Sequence, residues 1–274
     1  HHWTERTEIE MFRALDLFRQ AAEVDPSVAP AYSGIAEASA RLEAWQFASP
    51  AAMYPQAVDA ARRAIELDPS SADAHASIGF TKLNWERDWE GAAHELRRAI
   101  ELNPNHETAH RWLSAFLSGI GKDEEAVPIA MRAIDLDPIS VLPRMNLGII
   151  HFLAGRNADA VSAFRRVIDM DPGFVRGYVF LGAALSFLGT HEEAIAAGRK
   201  GAALANQLPI TLVPLGSSLA RAGRVDDAHA MLDSIVGSID PIYAAMAYAS
   251  FDYDEAALTA LERGVERRSD WMYS

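Results

Sequence analysis

Five stretches decide the fold: ALDLFRQAAEVDP (14–26), AVDAARRAIELDP (57–69), AAHELRRAIELNP (92–104), AVPIAMRAIDLDP (126–138) and AVSAFRRVIDMDP (160–172). Each opens on an alanine and closes twelve residues later on Asp-Pro or Asn-Pro. The closing prolines Pro26, Pro69, Pro104, Pro138 and Pro172 are 43, 35, 34 and 34 residues apart. The alanine series continues through Ala194 and Ala228 at steps of 34, then Ala256 after a step of 28. Gly121, Gly155, Gly189 and Gly223 recur at 34 as well. Three kinds of marker in one period mean an internal repeat, which fixes the architecture before any single motif is weighed.

Each period reads as two helices. In VLPRMNLGIIHFLA, Leu142, Met145, Leu147, Ile149 and Phe152 fall at helical spacings. Gly155-Arg-Asn is the turn, because glycine accepts the left-handed conformation that ends a helix. Ala160, Val161, Phe164, Val167 and Ile168 then form one stripe at i, i+3, i+4, i+7, i+8. Asp171-Pro172 stops that second helix, since proline disfavours helical geometry at the residue before it. The alanine has a packing reason: a methyl-sized side chain lets the two helices cross closely.

Composition bounds the function. Half of the 274 residues are apolar, enough for a packed core and too many for a disordered tail. With 25 Lys+Arg against 38 Asp+Glu the net charge is −13, which repels phosphate backbones and anionic membranes. No cysteine is present, so disulfides, thiolate metal sites and Cys nucleophiles are excluded. No run approaches the ~18 apolar residues of a membrane span, and no signal peptide opens the chain. A cytoplasmic protein is expected.

These residues resemble the tetratricopeptide repeat family. Its unit has 34 residues, with an aromatic-x2-Leu-Gly core in the first helix and Ala…Phe…Ala…Pro in the second. Tyr178, Leu181, Gly182, Gly189 and Ala194 match the first half of the pattern and the following turn; Ala14, Phe18, Ala21 and Pro26 match the second half. Departures are Arg144 at an aromatic site, Gly198 and Gly201 at larger ones, and Asn206 in place of proline. The resemblance implies an all-α, right-handed superhelix of about fifteen helices in antiparallel pairs. Its expected units are a partial repeat at 1–28, a long first repeat with an insertion at 29–71, repeats at 72–106, 107–140, 141–174, 175–208 and 209–240, and a shortened, uncapped one at 241–274. Ile9 to Val24 is expected to form a second helix whose first helix is absent or represented only by its tail.

The order of unlike units, from HHWTERT through NWERDWEGAAHELRRAIELNPNHETAHRW to LERGVERRSDWMYS, is similar to the C-terminal repeat region of bacterial signalling proteins. In that set it follows a winged-helix DNA-binding domain, a class III nucleotidyl cyclase or a serine/threonine kinase. The resemblance implies an output domain attached outside these residues. His1 and His2 resemble either a purification-tag stub or the native His-Trp…Arg-Thr stretch carried here by Trp3, Arg6 and Thr7.

Candidate chemistry is thin. His106-Glu107-Thr108-Ala109-His110 is a literal H-E-x-x-H, which on a helix would offer two histidines to zinc. His106 falls at a repeat junction, however, His110 takes the aromatic packing site of Tyr32, His75 and Tyr178, and no third ligand follows. Gly119-Ile-Gly-Lys122 is an inter-helix turn rather than a phosphate loop. Asp123-Glu124-Glu125, Glu192-Glu193 and Asp226-Asp227 are helix N-terminal acids that favour the macrodipole. Trp85, Trp89 and Trp112 are expected in the core. No catalytic residue, cofactor or metal is assigned.

A binding surface remains. The resemblance places the first helices on a concave face, with Ser33, Glu37, Ala76 and Phe80 where co-chaperone relatives carry a carboxylate clamp, so that clamp is absent. The expected groove lining is Phe80, Arg111, Met145, Ile149, Phe152, Arg176, Val179, Phe187, Val213 and Arg221. An apolar groove of this kind suits an amphipathic helix or extended peptide, with the arginines favouring acidic flanks. The leading expectation is therefore a non-catalytic protein-interaction scaffold; a peptide- or small-molecule-sensing domain is the alternative, and a zinc hydrolase the outsider.

Overall fold

A computed structural model describes residues 2–44 and 48–235, together with positions 258, 259 and 262. Among the described residues there are thirteen α-helices and no strand. The chain divides into two compact units, His1–Pro138 and Ile139–Ser274. In the first, α1 (His2–Val24) is followed by the pairs α2 (Ala29–Ala44) and α3 (Pro50–Leu67), α4 (Ala72–Thr81) and α5 (Trp89–Leu102), and α6 (Glu107–Gly119) and α7 (Asp123–Leu136). The second holds α8 (Val141–Leu153) with α9 (Asn157–Met170), α10 (Val175–Phe187) with α11 (His191–Leu204), and α12 (Pro209–Arg221) with α13 (Val225–Ile235). The last sequence repeat, with Ala256, lies almost wholly outside the described residues, as do Trp45 and Phe47 of the insertion.

Within a unit, a second helix packs on its own first helix and on the next one, as α9 does on α8 and α10. The recurring alanines sit at these crossings: Ala57, Ala92, Ala126, Ala160, Ala194 and Ala228 have no exposed surface at all. Small residues on the first helices complete the approach. A Cβ on Gly148 would collide with the Phe164 ring; one on Gly182 would lie 3.0 Å from the Ala194 carbonyl oxygen. Where α11 carries Gly198 and Gly201 in place of larger residues, Leu215 and Tyr178 fill the room they leave.

The turn glycines behave as the sequence requires. Gly121, Gly155, Gly189 and Gly223 all have φ between 72° and 78°. The N–H of the next residue bonds back five residues, Lys122 to Leu117 O at 2.8 Å and Arg156 to His151 O at 2.8 Å, which satisfies carbonyls the helix end would orphan. The Asp-Pro and Asn-Pro junctions are side-chain-closed turns. Asp25, Asp68, Asn103 and Asp171 each accept from the backbone N–H two residues on, at 2.9 to 3.0 Å. Six residues after the junction proline, His75, His110 and Tyr178 reach back to its carbonyl at 3.2, 3.0 and 3.3 Å.

One repeat departs from this pattern. Arg87 occupies the register of the turn glycines with φ 55°, and α4 unwinds into a π-helical turn over Lys82–Glu86. Asp88 restores order by capping α5 through Gly91 N–H (2.9 Å) and by pairing with Lys82 Nζ (2.6 Å). The structure also corrects the expectation for the tryptophans. Trp112 is buried, but Trp85 and Trp89 are 39% and 58% exposed. Trp85 stands in the register of the exposed Gly119, Leu153 and Phe187, and Trp89 is the first residue of α5. Trp85 stacks on the buried Tyr54 at 5.2 Å.

Candidate functional site

In the second unit the first helices α8, α10 and α12 are neighbours in the stack, so residues at matching turns form rows across them. Ile149 and Phe152 lie one turn apart near the end of α8 and are half-buried. On α10, Arg176 is exposed at the start, Val179 and Phe180 follow one turn on, and Phe187 ends the helix 54% exposed. Val213 and Arg221 lie on α12, the first half-buried and the second exposed.

Aromatic contacts tie these rows together. Phe152 meets Phe187 edge-on at 5.6 Å and Phe180 edge-on at 6.3 Å, the arrangement ring quadrupoles favour. Phe180 in turn lies 5.7 Å from the fully buried Phe164, so the surface rings rest on the core of the repeat. Arg221 places its guanidinium 4.2 Å from the Phe187 centroid, and Arg176 lies 6.0 Å from that of Phe180. The result is a row of rings with a cation at either end. Phe180 is absent from the sequence expectation, which took its neighbour Val179. The stripe Arg176, Phe180, Phe187 at i, i+4, i+11 carried the signal.

The structure separates the remaining expected residues. Phe80 and Arg111 belong to the first unit, the other eight to the second. Phe80 is 7% exposed, wedged 4.5 Å from Trp112 and 6.4 Å from Tyr54, and Met145 is 3% exposed. Both are core residues rather than groove lining: helical spacing gave their side of the helix but not their depth. Arg111 is mostly buried and paired with Glu107 at 3.0 Å. Burial pulls its pKa below the usual arginine value, while Glu107 opposes that shift. At the positions of the missing clamp, Glu37 is held by Arg41 at 2.6 Å and Ser33 by Ser71 at 3.0 Å.

The H-E-x-x-H histidines have local partners. His106 is the N-cap of α6, its Nδ1 accepting the Ala109 N–H at 3.3 Å, and its Nε2 lies 3.0 Å from Asp73 Oδ1. His110 is buried with Nε2 on the Pro104 carbonyl. His106 Nδ1 spends its lone pair on the Ala109 N–H, and among the described residues no three His, Asp or Glu side chains cluster as metal ligands. Nor, among them, is any helix long and apolar enough to cross a membrane.

Residues 86–141 and 144–209 match the family model of the tetratricopeptide repeat. No curated protein matches the sequence. Three solved structures share the fold at low identity. A chain of the APC/C hetero-tetramer Cut9-Hcn1 aligns with TM-score 0.70 and 15% identity over 93% of this chain and 49% of that one. PilW, a type IV pilus biogenesis factor, aligns with TM-score 0.63 and 18% identity over 83% and 98%. The human IFIT1 dimer with m7Gppp-AAAA aligns with TM-score 0.67 and 16% identity over 94% and 68%. Residues 86–141 and 144–209 are thus repeats of the tetratricopeptide repeat family, and the same left-handed glycine turn at Gly223 and buried crossing alanines at Ala57 and Ala228 carry the pattern beyond them on both sides.

Proposed function

We propose that this protein is a non-catalytic protein-interaction scaffold, and that the face formed by α8, α10 and α12 receives its partner as a helix or extended peptide. The observation that carries this reading is the cluster of Phe152, Phe180 and Phe187, half-exposed or exposed, on an acidic protein. Three rings meeting at the surface, two partly buried against the repeat core and Phe187 more than half exposed, form an apolar patch of the kind that marks an interface, and aromatic residues with arginine are what interfaces enrich. The net charge of −13 argues against an RNA ligand of the kind IFIT1 holds.

We place this scaffold in the cytoplasm, as the regulatory repeat region of a larger bacterial signalling or transcription-regulating protein. The support is the order of unlike repeats, and the test of that context is the complete gene. A winged-helix, cyclase or kinase domain upstream is expected; a gene encoding repeats alone would refute it. The test of the face is Phe152→Asp, which puts a charge among the rings. Proteins retained from the source organism's lysate by the parent chain should be lost from the variant while its circular dichroism is unchanged, and Arg165→Ala on α9 should retain them. Equal retention by Phe152→Asp would exclude this face.

A further inference from the structure

Arg221 is the last residue of α12 and is exposed. Its guanidinium lies over the Phe187 ring at 4.2 Å, within the range at which the ring quadrupole attracts a cation. Among the described residues no carboxylate pairs with it. Several cations of this acidic chain find one, as Arg41 does in Glu37, Lys82 in Asp88, Arg165 in Glu193 and Arg224 in Asp227, while others such as Arg97 and Arg166 do not among the described residues, so it is the close ring contact that singles out Arg221. A cation at a helix C-terminus is favoured by the macrodipole, which accounts for the charge but not for its place over the ring. Repeat register adds a second observation. Leu153, Phe187 and Arg221 are 34 residues apart, each ends its first helix, and the first two are 62% and 54% exposed. The C-terminal ends of three successive first helices thus offer aliphatic, aromatic and cationic surface in order, with Phe152 edge-on to Phe187.

We infer that the partner is an internal peptide segment in which an Asp or Glu side chain stands within two residues of a large apolar one, the carboxylate seated on Arg221 and the apolar group laid against the Phe152–Phe187 pair. This deepens the interaction-face reading and rests on it. The short distance between ring and guanidinium sets the spacing, because one extended residue spans only about 3.3 Å. Stacking on Phe187 also pre-orients the guanidinium, whose N–H fork suits a carboxylate bidentately.

The probe is a random dodecapeptide library displayed on phage, in which no chain-terminal carboxylate is free. Enriched sequences should carry Asp or Glu within two residues of Phe, Leu, Met or Trp. The most enriched peptide, synthesised with an amidated C-terminus, is then titrated against the parent, Phe152→Asp, Phe187→Ala and Arg221→Gln. Binding should be lost with Phe152→Asp, weakened with Phe187→Ala, and weakened about fivefold with flattened salt dependence in Arg221→Gln. Replacing the peptide's acid by its amide should reproduce the Arg221→Gln loss and add nothing to it. If Phe152→Asp and Phe187→Ala weaken binding but Arg221→Gln does not, or the enriched sequences lack acids, the anion seat is refuted while the face survives. Binding unaltered by all three substitutions, or no enrichment, refutes the face as well.

Discussion

Replacing Gly148 by alanine sets two effects of known size against each other. Alanine favours a helix interior over glycine by up to about 1 kcal/mol. At this position, however, the new methyl would enter the Phe164 ring. Phe164 is fully buried and packed 5.7 Å from Phe180, so it has no free volume into which to turn. Forcing one carbon into such a core costs about 1–3 kcal/mol. Overpacking wins, and Gly148→Ala should destabilise the chain by about 1 kcal/mol net. Gly119→Ala is the matched control: nothing lies within 4 Å of its new methyl, so only the propensity gain remains. Urea titrations followed by circular dichroism should move the two midpoints in opposite directions at unchanged slope. Shrinking the ring should relieve the clash, so Phe164→Leu should cost less in the Gly148→Ala background than in the parent. A Gly148→Ala chain at least as stable as its parent would refute the close crossing of α8 and α9.

Two other outcomes follow from local geometry. Arg87→Gly should stabilise by about 0.5–1 kcal/mol, the left-handed strain relieved less the chain entropy glycine adds, and a fall in the urea midpoint would contradict this. Burial lowers the pKa of His110 from its ordinary value of 6.5, so its neutral form belongs to the folded state. The stability this contributes is complete above pH 6.5 and is lost as pH falls from there through the depressed folded value. His110→Tyr, which can keep the reach to Pro104, should therefore lose less stability than the parent between pH 7 and 5; parallel losses would refute the assignment.

Much of this architecture was legible because it repeats. Alanines, turn glycines and junction prolines each answer a steric demand that recurs in every unit, so their period marks helix pairs. The π-helical turn was also visible in outline. Pro69 to Pro104 measures 35 rather than 34, and the surplus residue is absorbed where Lys82–Glu86 unwinds. The exposure of Trp85 and Trp89 follows instead from their places at helix ends, Trp85 in line with the exposed Gly119 and Leu153 and Trp89 at the first position of α5, where aromatic character alone suggested core. The site was legible as a face and not as a depth. Phe80, Met145 and Phe152 share a periodicity, yet Phe80 and Met145 are core and Phe152 reaches the surface, a difference set by neighbouring rings from other helices. The seating of Arg221 on Phe187 joins residues 34 apart in sequence, and no spacing rule within one helix reports it.

Amide hydrogen exchange of the chain with and without its captured partner tests the central claim most directly. Protection on binding should appear in 141–153, 175–187 and 209–221, strongest toward their C-terminal ends, while 157–170 and 191–204 exchange as in the free chain. Protection confined to those second helices, or to the first unit, would contradict an interaction face on α8, α10 and α12.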